Sequence, residues 1–137
     1  MDTHPRTPWI LLVEDEPLLV RTFVRQVAAQ TDCAVVVDVD GQASVAVLDR
    51  AEDAPVAVIL DGNLGAGRTG AAVLGAIRRA GHAVPCAFWS SLPPEAVADL
   101  LRANGLVERP PVFEKLDLDA VLGWLRGASG RQTRLLE

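Results

Sequence analysis

Tyrosine is missing from this chain of 137 residues, and only three tryptophans and three phenylalanines supply aromatic surface. A core must then come from Ala, Val and Leu, which half-apolar composition readily provides and which favours an α/β architecture. Cysteine is as scarce. Cys33 and Cys86 lack metal-ligand spacing and sit beside apolar runs, where a small buried thiol fits better than a disulfide or a reactive site. No apolar run approaches about 18 residues and residues 1–8 are polar, so neither a membrane span nor a signal-type start is expected, and the protein should be cytoplasmic. Basic blocks are absent too: at a net charge of -5 there is no electrostatic footprint for nucleic acid or an anionic membrane. His4 falls in the loose start and His82 in a turn, so neither is a good catalytic candidate.

What is present is a set of short apolar runs that end in polar groups. In Val58, Ile59, Leu60, Asp61, Gly62 and Asn63, β-branched residues run into one carboxylate and then a glycine, as when a buried parallel strand delivers an acid to the loop at its C-terminal end. Trp9 to Val13 ends likewise in Glu14, Asp15 and Glu16 before Pro17 opens a helix. Further strands are expected over 34–39, over 84–91 ending in Ser90 and Ser91, and over 112–114, which delivers Lys115. Helical spacing of apolar residues predicts helices over 18–27, 42–50, 69–80, 95–103 and 118–126. The organisation read from this is an N-terminal extension (1–8), one domain (9–126) and a polar tail (127–137) that frays or prolongs the last helix.

Five strands alternating with five helices require parallel pairing and right-handed crossovers. The expected fold is flavodoxin-like, a doubly wound five-stranded parallel sheet of order 2-1-3-4-5. That order sets the first and third strands side by side at the switch point, where Glu14, Asp15 and Asp61 converge. Two carboxylates at roughly 5 Å and an effective dielectric of about 20 repel by about 3 kcal/mol, so a cation must offset them. Mg2+ suits an all-oxygen site, and Lys115 can neutralise a phosphoryl oxygen. Asp61 is then placed to attack phosphorus and carry an aspartyl phosphate, with Ser90 hydrogen-bonding the new oxygens.

On Leu12-Val13-Glu14-Asp15-Glu16-Pro17, Ile59-Leu60-Asp61-Gly62-Asn63-Leu64, Ser90 and Glu114-Lys115, in that order, the chain resembles the receiver domain of two-component response regulators. The resemblance implies that Asp61 is the phosphoacceptor, Asp15 a direct metal ligand, Glu14 an acid acting on the metal largely through water, and the Asn63 carbonyl a further ligand. It implies that Ser90 is the switch hydroxyl and Lys115 the phosphate-binding lysine. A signalling domain rather than an enzyme is implied, with phosphate received from a histidine kinase or histidine phosphotransfer protein and output through an unidentified protein target. Four positions depart from the pattern. Gly65 and Gly70 alter the loop after Asp61, which is expected to be longer and looser; Leu116 replaces the proline whose cis peptide orients the lysine; Val112 stands at the switch aromatic.

Rival readings rest on specific residues. Gly65 to Gly70 matches the G-x-G-x-x-G dinucleotide pattern, but several residues past its strand, with Ser90 and Ser91 where a ribose-binding acid is expected. A small aspartyl-phosphate phosphatase of the haloacid dehalogenase type usually has a second Asp two residues after its nucleophile, and here that residue is Asn63. A receiver-like binding module that is never phosphorylated is the third, favoured by the altered loops. Glu16 is expected only to serve the following helix N-terminus.

Overall fold

The computed structural model describes residues 7–136, with side chains described for 7–128. Two strands are apolar along nearly their whole length, β1 (Trp9–Val13) and β3 (Ala57–Leu60), and these lie in the middle of a five-stranded sheet. Flanking them are β2 (Ala34–Asp38), β6 (Cys86–Ser90) and β7 (Val112–Glu114), in the order β2-β1-β3-β6-β7 with every neighbouring pair parallel. Counted within the sheet alone, this is the expected order 2-1-3-4-5. An additional hairpin, β4 (Asn63–Gly65) with β5 (Arg68–Thr69), lies outside the sheet.

Successive strand residues face opposite sides, which sorts the core into two layers. Leu11, Val13, Val58, Leu60 and Phe88 pack under α2 (Ser44–Arg50), α3 (Gly70–Arg79) and α4 (Pro94–Ala103). Ile10, Leu12, Ile59, Ala87 and Trp89 pack under α1 (Pro17–Gln30) and α5 (Leu118–Leu136). Each fully buried Leu or Ile contributes about 1.5–3 kcal/mol. The edge strand β2 alternates exposed and half-buried positions, as befits a strand covered less completely.

Local chemistry sets the boundaries. Glu16 caps α1 by accepting from the Leu18 N–H at 3.0 Å, with Pro17 at the first helical position, as the sequence suggested for Glu16. The second strand stops at Asp38 rather than 39, and α2 starts at Ser44 rather than 42, because the turn between them wraps a buried carboxylate. Asp38 accepts from the N–H groups of Gly41 and Ala43, both at 3.0 Å, and from Ser44 Oγ at 2.6 Å. Thr69 caps α3 through Ala72 N–H at 3.1 Å and so stands just outside the helix.

The expectation for the loop after Asp61 is corrected: that loop is not loose. It folds as the hairpin, turned through Ala66 and Gly67, whose φ angles of 52° and 77° are those of the primed turns that close two-residue hairpins. Its glycines serve that turn and not a strand-to-helix phosphate loop, which removes the basis of the dinucleotide reading. The last helix runs past 126 to Leu136, so the backbone of the expected tail is helical to that point. Residues 1–6 of the expected extension, and Glu137, lie outside the described residues.

Candidate functional site: an acidic pocket at the carboxyl edge of the sheet

Register brings the acids together. Val13 pairs with Leu60 across β1 and β3, so Glu14 and Asp61 leave neighbouring strands at the same level. The ladder continues one step beyond, with Asp61 N–H donating to the Val13 carbonyl at 2.9 Å and Glu14 N–H to the Asp38 carbonyl at 3.2 Å. Glu14, Asp15 and Asp61 each present a carboxylate oxygen, and these oxygens all lie within 4.8 Å of one another. Glu14 and Asp61 are buried; Asp15 faces solvent.

Lys115, the only lysine in the sequence, comes from the end of β7 and enters this pocket. Its ammonium is paired with Glu14 Oε1 and lies 3.5 Å from Asp61 Oδ2. It also sits 4.8 Å above the ring of Trp89, a cation–π contact that steadies the charge from the apolar side. Among the described residues there is no cis peptide, so lysine reaches both acids with a trans bond to Leu116. Burial pushes the Glu14 carboxyl above its ordinary 4.5, and the Lys115 ammonium works against that rise.

The surrounding backbone is closely fitted. Gly70 lies so near the Asp61 carbonyl that an added Cβ would overlap it, which brings the start of α3 against Asp61. Ser90, buried at the end of β6, packs against Gly62, and its Oγ accepts from Leu92 N–H at 3.0 Å. Asn63 N–H points at Asp61 Oδ1 at 3.4 Å, a long contact, and Asn63 Oδ1 accepts from Gly65 N–H at 3.1 Å. Val112 is half-buried beside a cleft of about 420 Å3 that also meets Ser90, Leu92 and Lys115.

All six residues singled out from the sequence thus lie at one edge. Glu14, Asp15, Asp61 and Lys115 form a contiguous cluster, while Ser90 and Asn63 flank it. Trp89 and Asp38 were not anticipated. Trp89 lies in an apolar run and gave no signal of a polar role; Asp38 ends a β-branched run just as Asp61 does and differs only in being enclosed by its own turn. A donor set of three carboxylates is the hard-oxygen chemistry that Mg2+ and Ca2+ favour, so the residues fit such an ion.

No protein-family model and no curated protein matches this chain. Solved structures do. The BeF3-activated N-terminal receiver domain of RstA from Klebsiella pneumoniae is similar at 24% identity over 86% of this chain and 95% of that one, with a TM-score of 0.69. The signal receiver domain of a putative Luxo repressor protein from Vibrio parahaemolyticus covers 96% of this chain and 98% of its own at 21% identity and a TM-score of 0.70. A response regulator from Burkholderia pseudomallei, solved with a phosphorylated aspartic acid, calcium ion and citrate, is similar at 15% identity over 93% of this chain and 72% of that one, with a TM-score of 0.68. The chain therefore has the flavodoxin-like fold of response regulator receiver domains. Among the described residues no helix is long and apolar enough to cross a membrane.

Proposed function

We propose that this chain is a response regulator receiver domain, over 9–126, that accepts a phosphoryl group on Asp61 and signals by phosphorylation-dependent association with a protein target. The observation that carries the reading is the convergence of Glu14, Asp15 and Asp61 within 4.8 Å beside the Lys115 ammonium. In the proposed reaction an Asp61 carboxylate oxygen forms the new bond to phosphorus as the phosphorus–nitrogen bond of a phosphohistidine, on a histidine kinase or histidine phosphotransfer protein, breaks. The imidazole leaves with the electron pair and takes up a proton. Asp15, Asp61 and the Asn63 carbonyl would hold Mg2+, with Glu14, one oxygen of which is engaged by Lys115, acting largely through water. Magnesium supplies positive charge against the carboxylates and the phosphoryl oxygens.

Lys115 stands close enough to Asp61 to neutralise a phosphoryl oxygen once the group arrives. Ser90 uses Oγ as an acceptor toward Leu92 N–H, which leaves its O–H free to donate to the same group. A pull on Ser90 is then felt by Leu92 and by Pro94 at the start of α4. With valine at 112 the output cannot run through an aromatic switch there, and the cleft between Ser90 and Lys115 is the surface this movement reshapes. The reading is of a phosphoacceptor rather than a turnover enzyme, acting in the cytoplasm.

Beryllofluoride with Mg2+ tests this by NMR. Amide resonances of Asp61, Asn63, Ser90, Leu92 and Lys115 should shift together, only with magnesium, and not in Asp61→Asn. An unchanged wild-type spectrum would favour a receiver-like module that works unphosphorylated.

A further inference from the structure

The hairpin β4–β5 begins two residues after Asp61 and is held from both sides. Leu64 turns inward, 5% exposed, against the layer that contains Val13 and Val73. Across the hairpin, Thr69 pairs with Asn63 and Arg68 with Gly65. Gly65 borders the pocket, since a Cβ there would lie 3.6 Å from Asp15 Oδ2.

Arg68 leaves the hairpin for the turn between β2 and α2. Its Nη1 donates to the Asp40 carbonyl at 3.1 Å and lies 3.8 Å from Asp40 Oδ2, and the Gln42 amide oxygen, turned toward it, accepts as well. Asp40 is itself fixed: its carboxylate accepts from Gln42 N–H at 3.0 Å, which with the nearby guanidinium holds it below the usual carboxylate range. That turn is nailed to the sheet by the buried Asp38 carboxylate, and the Asp38 carbonyl accepts from the Glu14 N–H. With side chains 40% and 49% exposed, Arg68 and Asp40 gain little from charge attraction alone. What the contact does is geometric. It closes a ring of bonded segments around the mouth of the acidic pocket, running from Asp61 through Asn63, Thr69, Arg68, Asp40 and Asp38 to Glu14.

We propose that Arg68 is a positioning residue for the pocket: by closing this ring it fixes the hairpin, and with it Asn63, relative to Asp15 and Asp61, and so sets the affinity for a divalent cation. This rests on the phosphoacceptor reading only in that the cation is taken to bind between those acids. A loosened ring leaves Asn63 to be ordered at the moment of binding, which weakens it.

The test is a calorimetric Mg2+ titration of the full chain, wild type against Arg68→Ala, Arg68→Lys and Asp61→Asn, with amide exchange measured on the metal-free proteins. Arg68→Ala is expected to weaken Mg2+ by roughly tenfold, as loss of a group supporting a metal ligand does. The Asn63 and Thr69 amides should exchange faster while the melting temperature changes little, and Arg68→Lys should recover part of the affinity. Wild-type Mg2+ affinity in Arg68→Ala, whether or not the hairpin exchanges faster, overturns this inference and leaves the phosphoacceptor reading standing. Failure of the wild type to bind Mg2+ any better than Asp61→Asn overturns both.

Discussion

The two edges of the sheet each carry a cluster of charged groups, and they are built to opposite ends. At the carboxyl edge three carboxylates gather beside one ammonium, which pairs with two of them. At the amino edge, beneath the start of β6, one guanidinium meets one carboxylate: Arg78 donates to Glu108 through Nε at 2.9 Å and Nη2 at 2.8 Å, and through Nη1 to the His82 carbonyl at 2.9 Å. The Cys86 thiol fills the gap, 3.4 Å from Arg78 Nη2, with burial pushing it up to about 12. The second cluster is balanced and its donors are used, so it serves to pin the long connection before β7. The first holds surplus negative charge and therefore has work left for a cation to do. Charge surplus, more than burial, separates a site from a strut here. The two glutamates shift in opposite directions: burial raises Glu14, whereas the Arg78 hydrogen bonds hold Glu108 below its ordinary 4.5.

Removing the cation from each edge breaks the comparison most strongly. Lys115→Ala leaves Glu14 and Asp61 facing without compensation and should cost about 3 kcal/mol in metal-free protein. Urea denaturation with and without Mg2+ checks this, because the ion should return part of the loss; an equal loss in both would contradict a charge surplus. Arg78→Met should cost about 2 kcal/mol, the worth of hydrogen bonds to a charged group, with no recovery by Mg2+ and no change in phosphoryl uptake.

Acid separates the edges by sign. Because Glu108 is lowered in the folded state, its contribution is fully present above pH 4.5 and is lost as pH falls through its lowered value. Glu14 runs the other way: its ionised form costs stability, a cost absent below 4.5 and complete above its raised value. Glu108→Gln should therefore flatten the fall in melting temperature on the acid side of pH 4.5, measured by calorimetry from pH 6 downwards. The smallest effect expected is at the hairpin turn, where Ala66 holds a φ of 52°. Ala66→Asn, a residue that tolerates this conformation, should stabilise by about 0.5 kcal/mol, read from the urea midpoint.

The difference between the clusters also explains what the sequence disclosed. The acids of the carboxyl edge follow directly on β-branched strands, so their meeting place could be read from strand order alone, and Lys115 arrives by the same logic. The balanced cluster could not be read. Arg78 and Glu108 lie 30 residues apart, on a helix end and in a loop, and only the folded chain brings them together; in sequence Arg78 reads simply as a cation suiting a helix C-terminus. The hairpin was illegible for another reason. Its strands of three and two residues are too short for any periodicity, and its glycines read equally well as flexible loop. Asp38 shows the limit of the strand-then-acid signal, since the same pattern there yields a carboxylate consumed by its own turn.

The most direct measurement is intact mass after incubation with acetyl phosphate and Mg2+. The wild type should gain the mass of one phosphoryl group, lose it on standing in alkali as an acyl phosphate does, and gain nothing once EDTA is present or in Asp61→Asn. A gain of the same size in Asp61→Asn, or none in the wild type, would contradict the assignment of Asp61 as the residue that carries phosphate.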